Sequence, residues 1–331
     1  MNKRIKLIMA YTTINKSSEH FNTKLYTGNQ SSTHAVTGVG FQPDLSWLKI
    51  RNGTGSHYLY DAIRGVTKSI SSDTTSAELS NTYFSSFNTD GFTLGSASNN
   101  VNGAYNYASW NWKANGAGSA NTAGSINSTV SPNTTGGFSI VSYTGTGSNA
   151  TIGHGLGSVP KMVIVKNRDN TTGFGVYHAS LGNTKYLQLN ATATQGTAST
   201  FWNNTTPTNQ VFSIGTSGWM NNSGENYIAY CFAEKQGYSK ISSYVGNGNT
   251  DGTFIYLGFK PSFLLIKETT NTTASWRLVD NKRIGYNPNN IQLYPNLSQA
   301  ESTSEYIVDI VSNGFKARTT DSGVNKSNST Y

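Results

Sequence analysis

Residues 145–167, GTGSNATIGHGLGSVPKMVIVKN, carry the glycine spacing of a phosphate-cradling loop. Such loops work because glycines let the backbone approach a phosphate while a following helix N-terminus presents free amides and a favourable dipole. Here the glycines run into PKMVIVKN, an apolar run of strand length, so the helical half is lacking. A turn that needs left-handed backbone angles accounts for the same glycines without any ligand.

Other chemistry-bearing residues are scattered. His20, His34, His57, His154 and His178 show no spacing suited to a metal cage, and Cys231 is the single cysteine. His57 and His178 fall in comparable apolar runs and read as strand histidines; Cys231, between Tyr230 and Phe232, reads as a small buried hydrophobe. No Gly-x-Ser-x-Gly elbow occurs, although a Ser/His/Asp triad is defined in space rather than in sequence and stays open. Asp44, Asp61, Asp73, Glu78 and Asp90 could supply the two carboxylates of a polysaccharide hydrolase. Their counterparts further along are Lys161, His178 and other non-acids, so such an enzyme would use the first part of the chain alone. Trp202 and Trp219 could stack on a sugar or cap a core, and the core reading is adopted. No catalytic, metal or cofactor site is assigned, and a non-enzymatic protein is expected.

The elements that hold these residues follow from composition. Ser, Thr, Asn and Gly crowd the chain, but aromatics make up 12%, more than a disordered chain carries. Tyr, Thr, Val and Ile with turn-forming Gly and Asn predict short strands joined by turns, an all-β protein. The net charge of +8 is dispersed; its one dense run is Lys3, Arg4 and Lys6, without interleaved aromatics, so nucleic acid is not an expected partner. The apolar stretch Leu7–Ala10 is short for a secretory signal and no run reaches membrane-spanning length, so a soluble chain without membrane insertion is expected. Met9 opens a stretch that itself reads as a start.

A repeat organises the chain. Tyr26, Tyr143 and Tyr244 are each followed at constant distances by a glycine (Gly40, Gly157, Gly258), a proline (Pro43, Pro160, Pro261) and a lysine (Lys49, Lys166, Lys267). Between proline and lysine lie DLSWL, KMVIV and SFLLI, each a core strand in expectation. The runs YASWNWKA (107–114) and YIAYCFAE (227–234) close the first two units, and the matching offset in the third falls on Thr330 and Tyr331. The expectation is three tandem antiparallel β-sandwich modules of jelly-roll type. An N-terminal segment 1–20 leads into modules at 21–114, 138–236 and 237–331, the third without its closing strand. That strand would come from a continuation of the polypeptide or, by edge addition, from another chain. Residues 115–137, small and polar, read as a flexible linker that leaves the first module mobile beside a more fixed pair.

The series FNTKLYTGN, VTGVGFQPDLSWLKIRNGTGSHYLYDAIRG, FNTDGFTLG and YASWNWKA, followed by GLGSVPKMVIVKN, YIAYCFAE and GFKPSFLLIKE, resembles repeated-domain virion structural proteins of marine bacteriophages, often labelled tail fibre proteins. The resemblance runs from about Met9 to Tyr331. It implies a virion component made in the bacterial cytoplasm that contacts other virion proteins, with no enzyme activity, no cofactor and no established binding residues. A tail fibre or appendage adhering to a host-surface glycan or receptor is the leading reading, and a head-decorating or head-fibre protein the alternative. A homotrimer is suggested by fibres in general, with no heptad stretch here to support it.

Overall fold

A computed structural model describes residues 11–271, 273–304 and 307–331. The basic run at Lys3–Lys6 and the start at Met9 lie outside the described residues, as does the first half of the segment 1–20. The chain is all-β. Among the described residues there are two α-helices, Ser199–Trp202 (α1) and Gly218–Asn221 (α2), both single turns, and no helix there is long and apolar enough to cross a membrane.

The first module contains Phe21–Thr27 (β1), His34–Thr37 (β2), Leu45–Ile50 (β3), Tyr58–Asp61 (β4), Lys68–Ser69 (β5), Leu79–Ser80 (β6), Phe84–Asn88 (β7), Gly91–Leu94 (β8) and Asn106–Trp112 (β9). A four-stranded antiparallel sheet, β1-β9-β3-β4, packs on a three-stranded one, β2-β8-β7. Val36, Leu48, Tyr60, Phe84, Phe92 and Leu94 fill the space between them. Alternation explains the division: Leu48 faces this sandwich core, whereas Leu45 and Trp47 face the other way.

The second module repeats the plan. Two strands precede it, Ser119–Asn121 (β10) and Ser128–Asn133 (β11). Then come Phe138–Thr144 (β12), Ala150–Gly153 (β13), Met162–Asn167 (β14), Phe174–His178 (β15), Lys185–Gln188 (β16), Gly196–Thr197 (β17), Val211–Ile214 (β18) and Asn226–Phe232 (β19). The large sheet runs β10-β11-β12-β19-β14-β15-β16-β17 and covers the pair β13-β18. The third module has Phe254–Tyr256 (β20), Phe263–Ile266 (β21), Arg277–Asp280 (β22), Val308–Val311 (β23) and Gly314–Ala317 (β24). Its small sheet is β20-β24-β23, but β21 has only β22 beside it among the described strands.

Residues 115–137 depart from the linker expectation. β11 pairs with β12 in a six-residue register from Ser128↔Tyr143 to Asn133↔Phe138, and Ile126 and Val130 enter the second core. An open edge on β12 would leave ladder groups unpartnered, and two apolar side chains suffice to seat a polar strand there. The first module is also not a mobile neighbour. Trp47, Trp110 and Trp112 share one continuous core with Ile140, Ile164 and Tyr230 of the second module and Trp276, Leu278 and Leu293 of the third. Burying each such side chain contributes about 1.5–3 kcal/mol, far more than a flexible tether could set against it.

Candidate functional site

Lys49 on β3, Lys166 on β14 and Lys267 just beyond β21 are 0%, 1% and 4% exposed. An ammonium has three donors and no acceptor, so burial requires a cage of oxygens. Lys49 Nζ donates to the carbonyls of Ile50 (2.9 Å) and Ser298 (3.1 Å). Lys166 Nζ donates to those of Thr172 (2.6 Å) and Thr75 (3.0 Å), and Lys267 Nζ to those of Glu268 (2.8 Å), Ala274 (2.9 Å) and Thr192 (3.0 Å). The first module thus reaches the third, the third reaches the second and the second reaches the first. The ring closes on itself. Burial pushes each lysine down to about 8, against the pull of Asp73 and Glu301 on Lys49 and of Glu268 on Lys267.

Backbone contacts run round the same circuit. The amides of Glu301, Glu78 and Gln195 donate to the carbonyls of Arg51, Arg168 and Thr269. Two of these contacts carry ion pairs, Arg51–Glu301 at 3.0 Å and Arg168–Glu78 at 2.9 Å. Deeper in, Trp110 Nε1 donates to Asp280 of the third module (3.0 Å) and the Tyr230 hydroxyl to Asp61 of the first (2.8 Å). Both carboxylates are paired within their own turn, to Arg283 and Arg64. Burial alone would raise the Asp280 carboxyl, but Arg283 and two backbone amides hold it below its ordinary value.

The remaining repeat positions shape each module's end. Gly40, Gly157 and Gly258 have φ of +90°, +66° and +83°, the left-handed region that favours glycine, at the turn before each core strand. Pro43, Pro160 and Pro261 are buried just ahead of those strands. Tyr26, Tyr143 and Tyr244 donate to the carbonyls of Val101, Met220 and Val324 at 2.8, 2.8 and 2.7 Å. Each ring stacks on a second tyrosine, Tyr107, Tyr227 or Tyr331, with interplanar angles of 8°, 12° and 14°. Burial raises all three leading phenols well above their ordinary value.

One set of equivalent residues escapes a fixed-distance reading. Asn102, Asn221 and Asn325, all fully buried, accept the amides of Asn29, Thr146 and Asn247 and donate back to nearby carbonyls. Their separation from the leading tyrosine drifts (26 to 102, 143 to 221, 244 to 325) because the loops before them differ in length. They lie close to the closing tyrosine, five residues before Tyr107 and six before Tyr227 and Tyr331, so an alignment on that tyrosine that allows one gap finds them.

Residues 16–331 match the model of a family described as "Domain of unknown function (DUF7483)". The chain belongs to this family. No curated protein and no solved structure matches it. The matched span of the DUF7483 domain takes in all three modules and their shared core.

Within the DUF7483 domain the other candidates are tied into the scaffold. Asp44 accepts the amides of Ala114 (2.6 Å) and Gly116, Asp73 that of His57, and Asp90 those of Gly38 and Gly40. Asp61 and Glu78 meet only through Arg64, which both bind. His57 accepts the Trp47 indole N–H at 2.8 Å, and burial, then Lys49, pushes its pKa well down. His154 Nδ1 accepts the Leu156 amide, His34 meets Asn102, and His20 meets Asn133. No three of His, Cys, Asp or Glu among the described residues stand where they could hold a metal. In the opening stretch, β14 follows the glycines, so a helix N-terminus does not form there. Trp202 and Cys231 are in the second core, and Trp219 packs partly buried on Phe201.

One surface is not absorbed in this way. Register sets Phe254 and Tyr256 of β20 against Lys316 and Gly314, matching Ala35 and Thr37 of β2 and Thr151 and Gly153 of β13. Where two modules carry small residues, the third exposes two rings, Phe254 at 46% and Tyr256 at 65%. Tyr11, 55% exposed, joins them, its hydroxyl and that of Tyr256 lying beside Gly258.

Proposed function

We propose that the chain is a bacteriophage virion structural protein, a tail fibre or similar appendage, that presents its third module to a host-surface glycan or receptor. The resemblance in sequence supports the virion assignment, and the exposed aromatic strip of Tyr11, Phe254 and Tyr256 carries the adhesive one. Flat rings offer apolar contact to sugar C–H faces at low entropy cost, and tyrosine hydroxyls add directional hydrogen bonds. The strip stands on a strand paired to β24 over a packed core, so little ordering accompanies binding.

The test is binding of the purified protein to host cells and to their extracted surface glycan, with a Phe254→Ala/Tyr256→Ala variant. Retained Tm with affinity reduced about tenfold or more is the expected result; undiminished binding overturns the adhesive reading. Imaging of intact particles tests the placement, since density on the head lattice with none at the tail overturns the fibre reading. Shortening of the glycan during incubation would replace adhesion by hydrolysis.

A further inference from the structure

The outer face of the third module's small sheet departs from its two counterparts. Ile255, Ile310, Phe315 and Ala317 fill the core, so alternation puts Phe254 and Tyr256 of β20, Gly314 and Lys316 of β24, and Asp309 and Val311 of β23 on the outer face. Register arranges them in two rows, Phe254–Lys316–Asp309 and Tyr256–Gly314–Val311. The matching rows of the first module are Ala35–Thr93–Ser86 and Thr37–Gly91–Asn88. There Ser86 bonds Asn88 and Asn88 bonds Thr93, both at 2.8 Å, so the polar groups satisfy one another. The second module has Thr151–Ser213 and Gly153–Val211. Among the described strands, rings and charges stand together on the third face alone.

Lys316 donates to Oδ1 of Asp251, which also meets Arg318 at 3.6 Å, and Arg318 turns its Nε to Asp309 at 3.4 Å. Two cations and two carboxylates thus compensate one another. Both cations sit on Oδ1 of Asp251, whose side chain is 76% exposed, and among the described residues its Oδ2 has no partner. The hydrogen bond and charge of Lys316 hold that carboxyl below its ordinary value, so it stays an acceptor at neutral pH. In the other row Gly314 leaves bare backbone between Tyr256 and Val311, since a Cβ there would strike the Ile255 carbonyl. The Tyr256 hydroxyl is hydrogen-bonded to that of Tyr11, which occupies the space a side chain at Gly258 would take.

We infer that this face binds an uncharged glycan chain, with sugar rings laid on Phe254 and Tyr256 and sugar hydroxyls bridging Asp251 and Lys316; the inference rests on the adhesive reading above and names its ligand class. The two aromatic positions are about 7 Å apart along one strand, so successive sugars of one chain lie along β20. Charge decides between classes. A sugar carboxylate brought to Lys316 or Arg318 would also face Asp251 and Asp309, and like charges side by side cost more than cations already paired can return. A hydroxyl escapes this conflict, because it donates to the open Oδ2 and accepts from the ammonium.

The experiment separates the extracted host-surface glycan into neutral and acidic fractions by anion exchange. Each fraction, and intact host cells, are then titrated with the full chain and with Asp251→Ala. The neutral fraction binds, with an affinity that changes less than about twofold between about 0.05 and about 0.5 M NaCl. Asp251→Ala lowers that affinity about tenfold or more at unchanged Tm. By leaving two cations against Asp309 alone, the same variant raises binding of the acidic fraction. Binding confined to the acidic fraction and lost in salt, or no effect of Asp251→Ala on the neutral fraction, overturns the inference while the adhesive reading stands. Binding to cells but to neither fraction also overturns it, in favour of a protein receptor. Binding to neither cells nor fractions overturns both readings.

Discussion

The buried lysine ring makes stability depend on pH in an unusual direction. Lys49, Lys166 and Lys267 fall from 10.5 to about 8 in the folded protein because burial penalises the ammonium. At about 1.36 kcal/mol per unit, each charged ammonium costs about 3 kcal/mol of stability at neutral pH. With the folded pKa below the unfolded one, the unfolded chain binds more protons between pH 8 and 10.5, so stability rises across that window and the penalty is complete below pH 8. Cys231 opposes this, since burial raises its thiol and the unfolded thiol ionises first. Three lysines outweigh one thiol up to about pH 10. There the unfolded tyrosines ionise while Tyr26, Tyr143 and Tyr244 stay protonated, and the gain reverses. Urea unfolding followed by tryptophan fluorescence at pH 7, 8, 9 and 10 reads this as a midpoint that climbs from pH 8 with constant m-value. In Lys166→Met the climb shrinks by about one third, and in Cys231→Ala it steepens. A midpoint flat or falling from pH 8 to 9.5 in Cys231→Ala, or an unchanged climb in Lys166→Met, would refute the argument.

The repeat geometry makes further predictions for the same urea assay. Tyr143→Phe leaves the Met220 carbonyl without its donor and costs about 1–2 kcal/mol, and Tyr26→Phe and Tyr244→Phe give values within a factor of two of it. Glu78→Gln weakens the bridge between Arg64 and Arg168, two modules at once, for a loss of about 2–3 kcal/mol. Gly157→Ala meets open space and costs about 1 kcal/mol for its positive φ, whereas Gly91→Ala drives its methyl into the Val36 carbonyl and costs about 3 kcal/mol or more.

Fixed spacing made the tyrosine, glycine, proline and lysine positions legible, since each does the same local work wherever it recurs. What the lysines reach was not legible: Thr75, Thr192 and Ser298 lie in loops with no common sequence, and a backbone carbonyl leaves no mark on residue type. Residues 115–137 misled for the opposite reason. Edge pairing draws on backbone groups that every residue but proline supplies in full, so a polar segment with two well-placed apolar side chains can complete a sheet. The shared core did leave a sign. A strand in a free-standing sandwich alternates apolar and polar, but KMVIV and SFLLI are apolar at successive positions, as strands buried on both faces must be. Val163 and Val165 fill the second module while Ile164 enters the common centre; Leu264 and Ile266 do the same opposite Phe263 and Leu265. Continuous apolar character at the lysine-terminated strands is therefore the signature of modules closed around one another, and it places Lys49, Lys166 and Lys267, next in the alternation, on the face that meets a neighbour.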